Sequence, residues 1–205
     1  MDTSSRSFST FFQKNMISDR MAAFSKQMNF TRILLLLCAL SFFCSCDTQK
    51  RDIQTGEDAP LFSVADISGD LVSLTQLKGK IVVLYFWKNS CCGDSLKLLE
   101  PFYEANRHKK LAIIAINIGD TKEVVTSYAT NNGLTFTMLA DEHSGIFEQY
   151  QVFGFPTIFI IDKNGVIRNK ILGNIQVDQL ETVIQRQFAL QKQAETSYEK
   201  NHPRK

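Results

Sequence analysis

The sequence predicts an α/β domain in which a buried strand feeds directly into a helix, and three observations carry that expectation. Residues 81–86, Ile-Val-Val-Leu-Tyr-Phe, form a charge-free strand-forming run suited to a strand covered on both faces. Soon after it Leu96, Leu99, Phe102 and Tyr103 recur at the spacing of one helix face. Far downstream, residues 157–161 and 166–172 flank Lys163-Asn164-Gly165, whose Asn-Gly pair favours a hairpin with a type I′ turn.

The bulk numbers suit one domain with appendages. The chain has 205 residues, 44% of them hydrophobic and 21% charged, enough for a real core. The formal charge of +2 misleads, because five of the 23 basic and two of the 21 acidic residues precede Cys46. The remainder carries 18 basic against 19 acidic residues, a net of −1, and shows no basic patch with interleaved aromatics. A nucleic-acid partner is therefore not expected. The five cysteines are Cys38, Cys44 and Cys46 near the start, and Cys91 with Cys92 in the domain. They do not make a disulfide framework, and without paired Cys-x-x-Cys or clustered His no metal site is expected.

In chain order, residues 1–27 are Ser- and Phe-rich without clear periodicity, and an over-extended reading frame is expected there. Residues 28–45 read as a lipoprotein signal peptide: a basic start at Met28–Arg32, then an eleven-residue apolar stretch at 33–43. That stretch is too short for a bilayer span, which takes about 20 residues. Phe43-Cys44-Ser45-Cys46 resembles a bacterial lipobox, with Phe43 a departure at its usual Leu position. Cys46 would then be lipidated and hold the protein to a membrane of the cell envelope, facing the periplasm. Residues 46–58 are expected to be a polar tether, 59–190 the domain, and 191–205 a polar tail that frays.

Within the domain, residues 61–67 and 71–74 flank Ser68-Gly69-Asp70, a hairpin signal. Leu111–Ile118 is a second apolar strand. Asp120 and Glu123 then stand at capping-box spacing before Val124, Val125 and Tyr128, with Gly133 as the stop. A short strand at 136–139 and a brief helix at 146–150 follow, and Leu180, Val183, Ile184 and Phe188 mark a closing amphipathic helix.

Phe86-Trp87-x-x-x-Cys91, followed downstream by Gly154-Phe155-Pro156-Thr157 and Phe159-Ile160-Ile161-Asp162, resembles the thioredoxin superfamily. Within it, residues 59–188 most resemble the envelope-anchored TlpA/ResA-type thiol–disulfide oxidoreductases. The resemblance implies a thioredoxin-like fold: a central mixed β-sheet flanked by helices, with an N-terminal β-hairpin and a βα insert. It implies thiol–disulfide exchange with protein substrates, a redox partner, and no cofactor. The departures are plain. The family carries Cys-x-x-Cys, and here Asp94 stands three residues after Cys91. Tyr85 replaces a buried acid, Lys97 replaces a Glu common in the TlpA-type branch, and Pro101 falls two residues late.

By this resemblance Cys91 is the nucleophile and attacks a substrate disulfide to leave a mixed disulfide. A thiol at a strand-to-helix junction sits where free backbone N–H groups and the helix dipole stabilise a thiolate. Cys92 is the candidate resolver within the domain, although a vicinal disulfide closes a strained ring. A second register makes Cys92 the nucleophile and Ser95 the residue at the resolving position; the sequence leaves both open. On a helix Cys92 should lie about 100° round from Cys91, turned inward. Asp94 reads as a helix cap or a proton carrier, with capping expected. Lys97 reads as solvated, Ser90 as a turn residue, and His108 and His143 as surface residues. Trp87, Phe155 and Pro156 are expected to bind substrate, with a core-rim role as the alternative for Trp87, and Pro156 is expected cis by resemblance. Two other functions compete with exchange: a redox-inactive binding module on the same scaffold, and a one-cysteine peroxidase.

Overall fold

The computed structural model describes residues 52–202. In it the charge-free run becomes the central strand of a five-stranded sheet. Strands β1 (Ser63–Ala65) and β2 (Leu71–Ser73) form a separate antiparallel hairpin ahead of it. Then come β3 (Ile81–Trp87), α1 (Asn89–Lys97), α2 (Glu100–Asn106), β4 (Leu111–Ile118) and α3 (Lys122–Asn131). The chain continues through β5 (Thr137–Asp141), α4 (Gly145–Gln149), β6 (Thr157–Ile161), β7 (Ile167–Leu172) and α5 (Val177–Asn201). Sheet order is β5-β4-β3-β6-β7, with β3, β4 and β5 parallel and β6 and β7 antiparallel to their neighbours. The expected mixed sheet is there.

All seven residues of β3 are buried, and their alternation divides the core into two layers. Ile81, Val83, Tyr85 and Trp87 face a layer holding Cys92 and Leu96 of α1, Phe102 of α2, Val125 of α3 and Leu180 and Ile184 of α5. Val82, Leu84 and Phe86 face the other, with Phe62, Leu74, Ile146 and Tyr150. Each fully buried aliphatic or aromatic side chain contributes about 1.5–3 kcal/mol. The cysteine-bearing helix therefore rests on one face of the sheet, and the hairpin and α4 on the other.

Several local expectations are corrected. The β6–β7 loop has three residues, because Asp162 pairs back to Val166. Gly165 takes a positive φ of 92° while Asn164 does not, so no type I′ turn forms. Asp162 organises the loop instead, its Oδ1 accepting the N–H groups of Asn164 and Val166. Strand β5 begins one residue later than expected. Asp120 does not cap α3: it is held by Asn117, and Glu142 Oε1 accepts the Lys122 N–H at 2.9 Å. Pro101 has no N–H to bond back to the helix. The chain breaks there into α1 and α2, while Leu98 and Leu99 keep helical angles and Leu99 stays buried.

Both flanks of the domain are more ordered than expected. Asp52 pairs with Lys170, Ile53 is buried, and the Gly56 N–H and Glu57 carbonyl bond to Ile167 of β7. The last part of the expected tether thus covers an edge strand whose backbone groups need partners. The expected fraying tail is helical to Asn201, because it is rich in helix formers and Lys163 ties Glu195 at 2.9 Å. The signal-peptide and Cys46 expectations lie outside the described residues.

Candidate functional site

The thiols sit where β3 hands over to α1. Lys88 is extended, and its carbonyl accepts the N–H groups of Cys91 at 3.3 Å and Cys92 at 3.1 Å. Cys91 is therefore the third helical residue and Cys92 the fourth. The rotation between them separates their fates, as expected. Cys91 is exposed, its thiol donating to the Lys88 carbonyl at 3.8 Å. Cys92 is 1% exposed and packs in the layer of Tyr85, Trp87 and Leu96. Burial pushes the Cys92 thiol up to about 11, and its hydrogen bond to Cys91 adds to this, against a smaller opposing bond to the Lys88 backbone. Burial also raises the Tyr85 hydroxyl, with the two thiols reinforcing it. Tyr85, where the superfamily resemblance led to an acid, cannot supply a carboxylate.

Tyr128, read from the sequence only as part of a helix face, turns out to fix the site. Its ring lies 4.7 Å from Trp87, and its hydroxyl donates to the Gly93 carbonyl at 2.5 Å. A Cβ at Gly93 would meet Tyr128 Cε2 and Oη at 3.0 Å, so only glycine lets α1 lie this close. A mid-helix glycine costs about 0.5–1 kcal/mol. That misplaced glycine was the available signal of a close approach. Trp87 is wholly buried beneath this clamp, and its Nε1 has no partner among the described residues. It supports α1 from below and has no surface for substrate, which corrects the expected binding role in favour of the core alternative.

The other rim comes from the segment entering β6. Phe86 pairs with Thr157, which sets Pro156 at the sheet end from which α1 departs. The Phe155–Pro156 peptide is cis. Thr157 Oγ1 donates to the Gly154 carbonyl at 2.7 Å, and the Pro156 carbonyl accepts the Gly173 N–H at 2.8 Å. Pro156 is buried and its carbonyl is taken. Phe155 is half-buried, stacked on Phe147 at 5.7 Å, with Lys88 Nζ 5.3 Å from its ring centre. Lys88 thus links the thiol-bearing turn to the Phe155 segment. Of the three expected substrate-binding residues, Phe155 is the one that offers side-chain surface, and Phe153 beside it is 75% exposed.

The remaining polar candidates fall away from the chemistry. Asp94 is inside α1, not at its cap, and its side chain points to solvent. Lys97 binds it at 2.7 Å and holds its carboxyl below the usual range. Ser90 is on the helix, not in a turn, and His108 and His143 are exposed. The site offers one accessible thiol beside one buried thiol.

Comparison with known proteins agrees with this fold. A ResA thiol-disulfide oxidoreductase of Bacillus cereus is 33% identical over 159 residues, covering 75% of this chain and 92% of that protein. The ResA protein of Bacillus subtilis is 30% identical over 169 residues, covering 80% and 92%. Among solved structures, the thioredoxin domain of a thiol-disulfide oxidoreductase from Bacteroides vulgatus superposes with a TM-score of 0.59 at 25% identity. That match covers 66% of this chain and 98% of the other. With its thioredoxin-like fold, these relatives, and a family model matching residues 55–170, the chain belongs to the AhpC/TSA family.

Proposed function

We propose that this protein is an envelope-anchored thiol–disulfide oxidoreductase that exchanges disulfides of protein substrates through Cys91. The observation carrying the reading is the exposed Cys91 thiol in the first turn of α1, in a chain one-third identical to proteins named ResA. A thiolate is the species that attacks a disulfide sulfur, and Cys91 is the accessible thiol from which it forms. Phe155 and Phe153 offer apolar surface at the rim for the substrate chain. The test is incubation of the full chain with a disulfide-bonded protein, followed by acid quenching and peptide mapping. A mixed disulfide on Cys91 is expected. An inert Cys91 with intact substrate binding would instead support the redox-inactive binding module, which Asp94 at the resolving position favours.

Anchoring is part of the same proposal and rests on Cys44-Ser45-Cys46 after the apolar stretch. None of the described helices is long and apolar enough to cross a membrane. The mature protein is expected in the membrane fraction, with mass spectrometry finding a diacylglyceryl-modified Cys46 at its N-terminus. A product cleaved elsewhere and released into the soluble fraction sinks this part.

A further inference from the structure

We propose that the site turns over through a single thiol of its own, the thiol that releases each mixed disulfide being supplied by another molecule. This rests on the exchange through Cys91 proposed above and concerns how its intermediate ends. Among the described residues the thiols are Cys91 and Cys92. Three residues after Cys91 stands Asp94, a carboxylate occupied with Lys97.

Cys92 is close in sequence but badly placed to resolve. Adjacent Cα atoms lie about 3.8 Å apart across a trans peptide. Ordinary disulfides span about 4.4–6.8 Å between Cα atoms. A Cys91–Cys92 bond therefore needs the backbone between them to distort. Here that backbone is the first turn of α1, with both N–H groups bonded to the Lys88 carbonyl. The next residue, Gly93, is clamped through its carbonyl by Tyr128 at 2.5 Å. Cys92 is itself 1% exposed, among Tyr85, Trp87 and Leu96. Ring closure would have to unwind a turn held at both ends and withdraw a buried side chain from the core.

The cycle balances without it. Cys91 thiolate attacks one sulfur of the substrate disulfide; that S–S bond breaks, and the departing sulfur leaves as a thiolate that takes up a proton. Cys91 is then joined to the other half of the substrate. An external thiolate attacks the substrate sulfur of this mixed disulfide and breaks its bond to Cys91. Cys91 regains its electron pair, and a new disulfide forms between the substrate half and the external thiol. One S–S bond forms and one breaks at each step, and the external thiol is the reductant.

The test uses the mature protein in detergent, with its N-terminal Cys46 lipidated, reduced and then freed of reductant, with oxidised glutathione as the disulfide and reduced glutathione as the external thiol. Intact-mass measurement should show one glutathionyl group, mapped to Cys91, that persists after excess oxidant is removed. Added reduced glutathione should discharge it, with the same rate within about twofold in Cys92→Ala. Spontaneous decay of the wild-type adduct into a chain two hydrogens lighter, with any intramolecular disulfide, overturns the inference and leaves the exchange reading standing. Failure to form any adduct on Cys91 overturns both. The wild-type adduct lifetime decides the matter even if Cys92→Ala folds poorly.

Discussion

Cys91→Ser is expected to abolish mixed-disulfide formation with a protein disulfide, a loss on the order of 10³-fold or more. Cys92→Ser should leave the capture step intact. A serine hydroxyl is not ionised near neutral pH and forms no disulfide, so nothing at position 91 replaces the lost sulfur. Cys92 cannot substitute, for two reasons that act together. The residue is 1% exposed, and its thiol is pushed up to about 11. At pH 7 a thiol of that acidity is ionised in only about one molecule in ten thousand. Iodoacetamide at neutral pH is therefore expected to label Cys91 first, with Cys92 following only as pH approaches 11 or the chain unfolds. The sign for stability follows from the same shift. Burial favours the neutral Cys92 thiol in the folded state, so its contribution is complete below the ordinary thiol value. It is lost as pH rises from 9.0 toward about 11. Rapid labelling of Cys92 with Cys91 silent at pH 7 would reverse the register of the site.

How much of this site could be read from the sequence depends on whether the signal was local. Residues 81–86 carry no charge, and the strand they form is buried on both faces. The 100° step between adjacent helical residues is enough to separate exposed Cys91 from buried Cys92. Trp87 departs from its expected role because alternation along β3 puts it on the same inward face as Tyr85, a fact set by the layers rather than by its neighbours in sequence. Asp94 departs because α1 starts at Asn89, five residues before it, so a capping residue type sits in mid-helix. Tyr128 gives no local sign of being a clamp because its partner Gly93 is 35 residues away. The type I′ expectation fails for a similar reason. Asp162 supplies acceptors to two N–H groups of the loop, and this side-chain bonding outweighs the local preference of Asn164-Gly165.

The second large effect is on stability, and it comes from the layer that holds no cysteine. Phe86 is wholly buried, with its ring 5.5 Å from Tyr150 and 5.8 Å from Phe159 in an aromatic cluster. Tyr150 in turn donates its hydroxyl to the Pro60 carbonyl at 2.7 Å, fastening the segment before β1 onto this layer. Phe86→Ala removes one ring of the Phe86–Tyr150–Phe159 triangle and leaves a cavity that the paired backbones of β3, β4 and β6 resist closing. The expected cost is about 3–5 kcal/mol. A domain of this size has about 5–15 kcal/mol in all and loses about 2–4 °C of Tm per kcal/mol. Thermal and urea unfolding should therefore show a fall of about 6–20 °C. Leu98→Ala is the comparison: Leu98 is 56% exposed at the end of α1, and its loss should stay within about 0.5 kcal/mol. Phe86 faces away from α1, so the folded fraction of Phe86→Ala should still label at Cys91 before Cys92. A cost below about 1 kcal/mol would mean that the two core layers are not packed as the alternation of β3 requires.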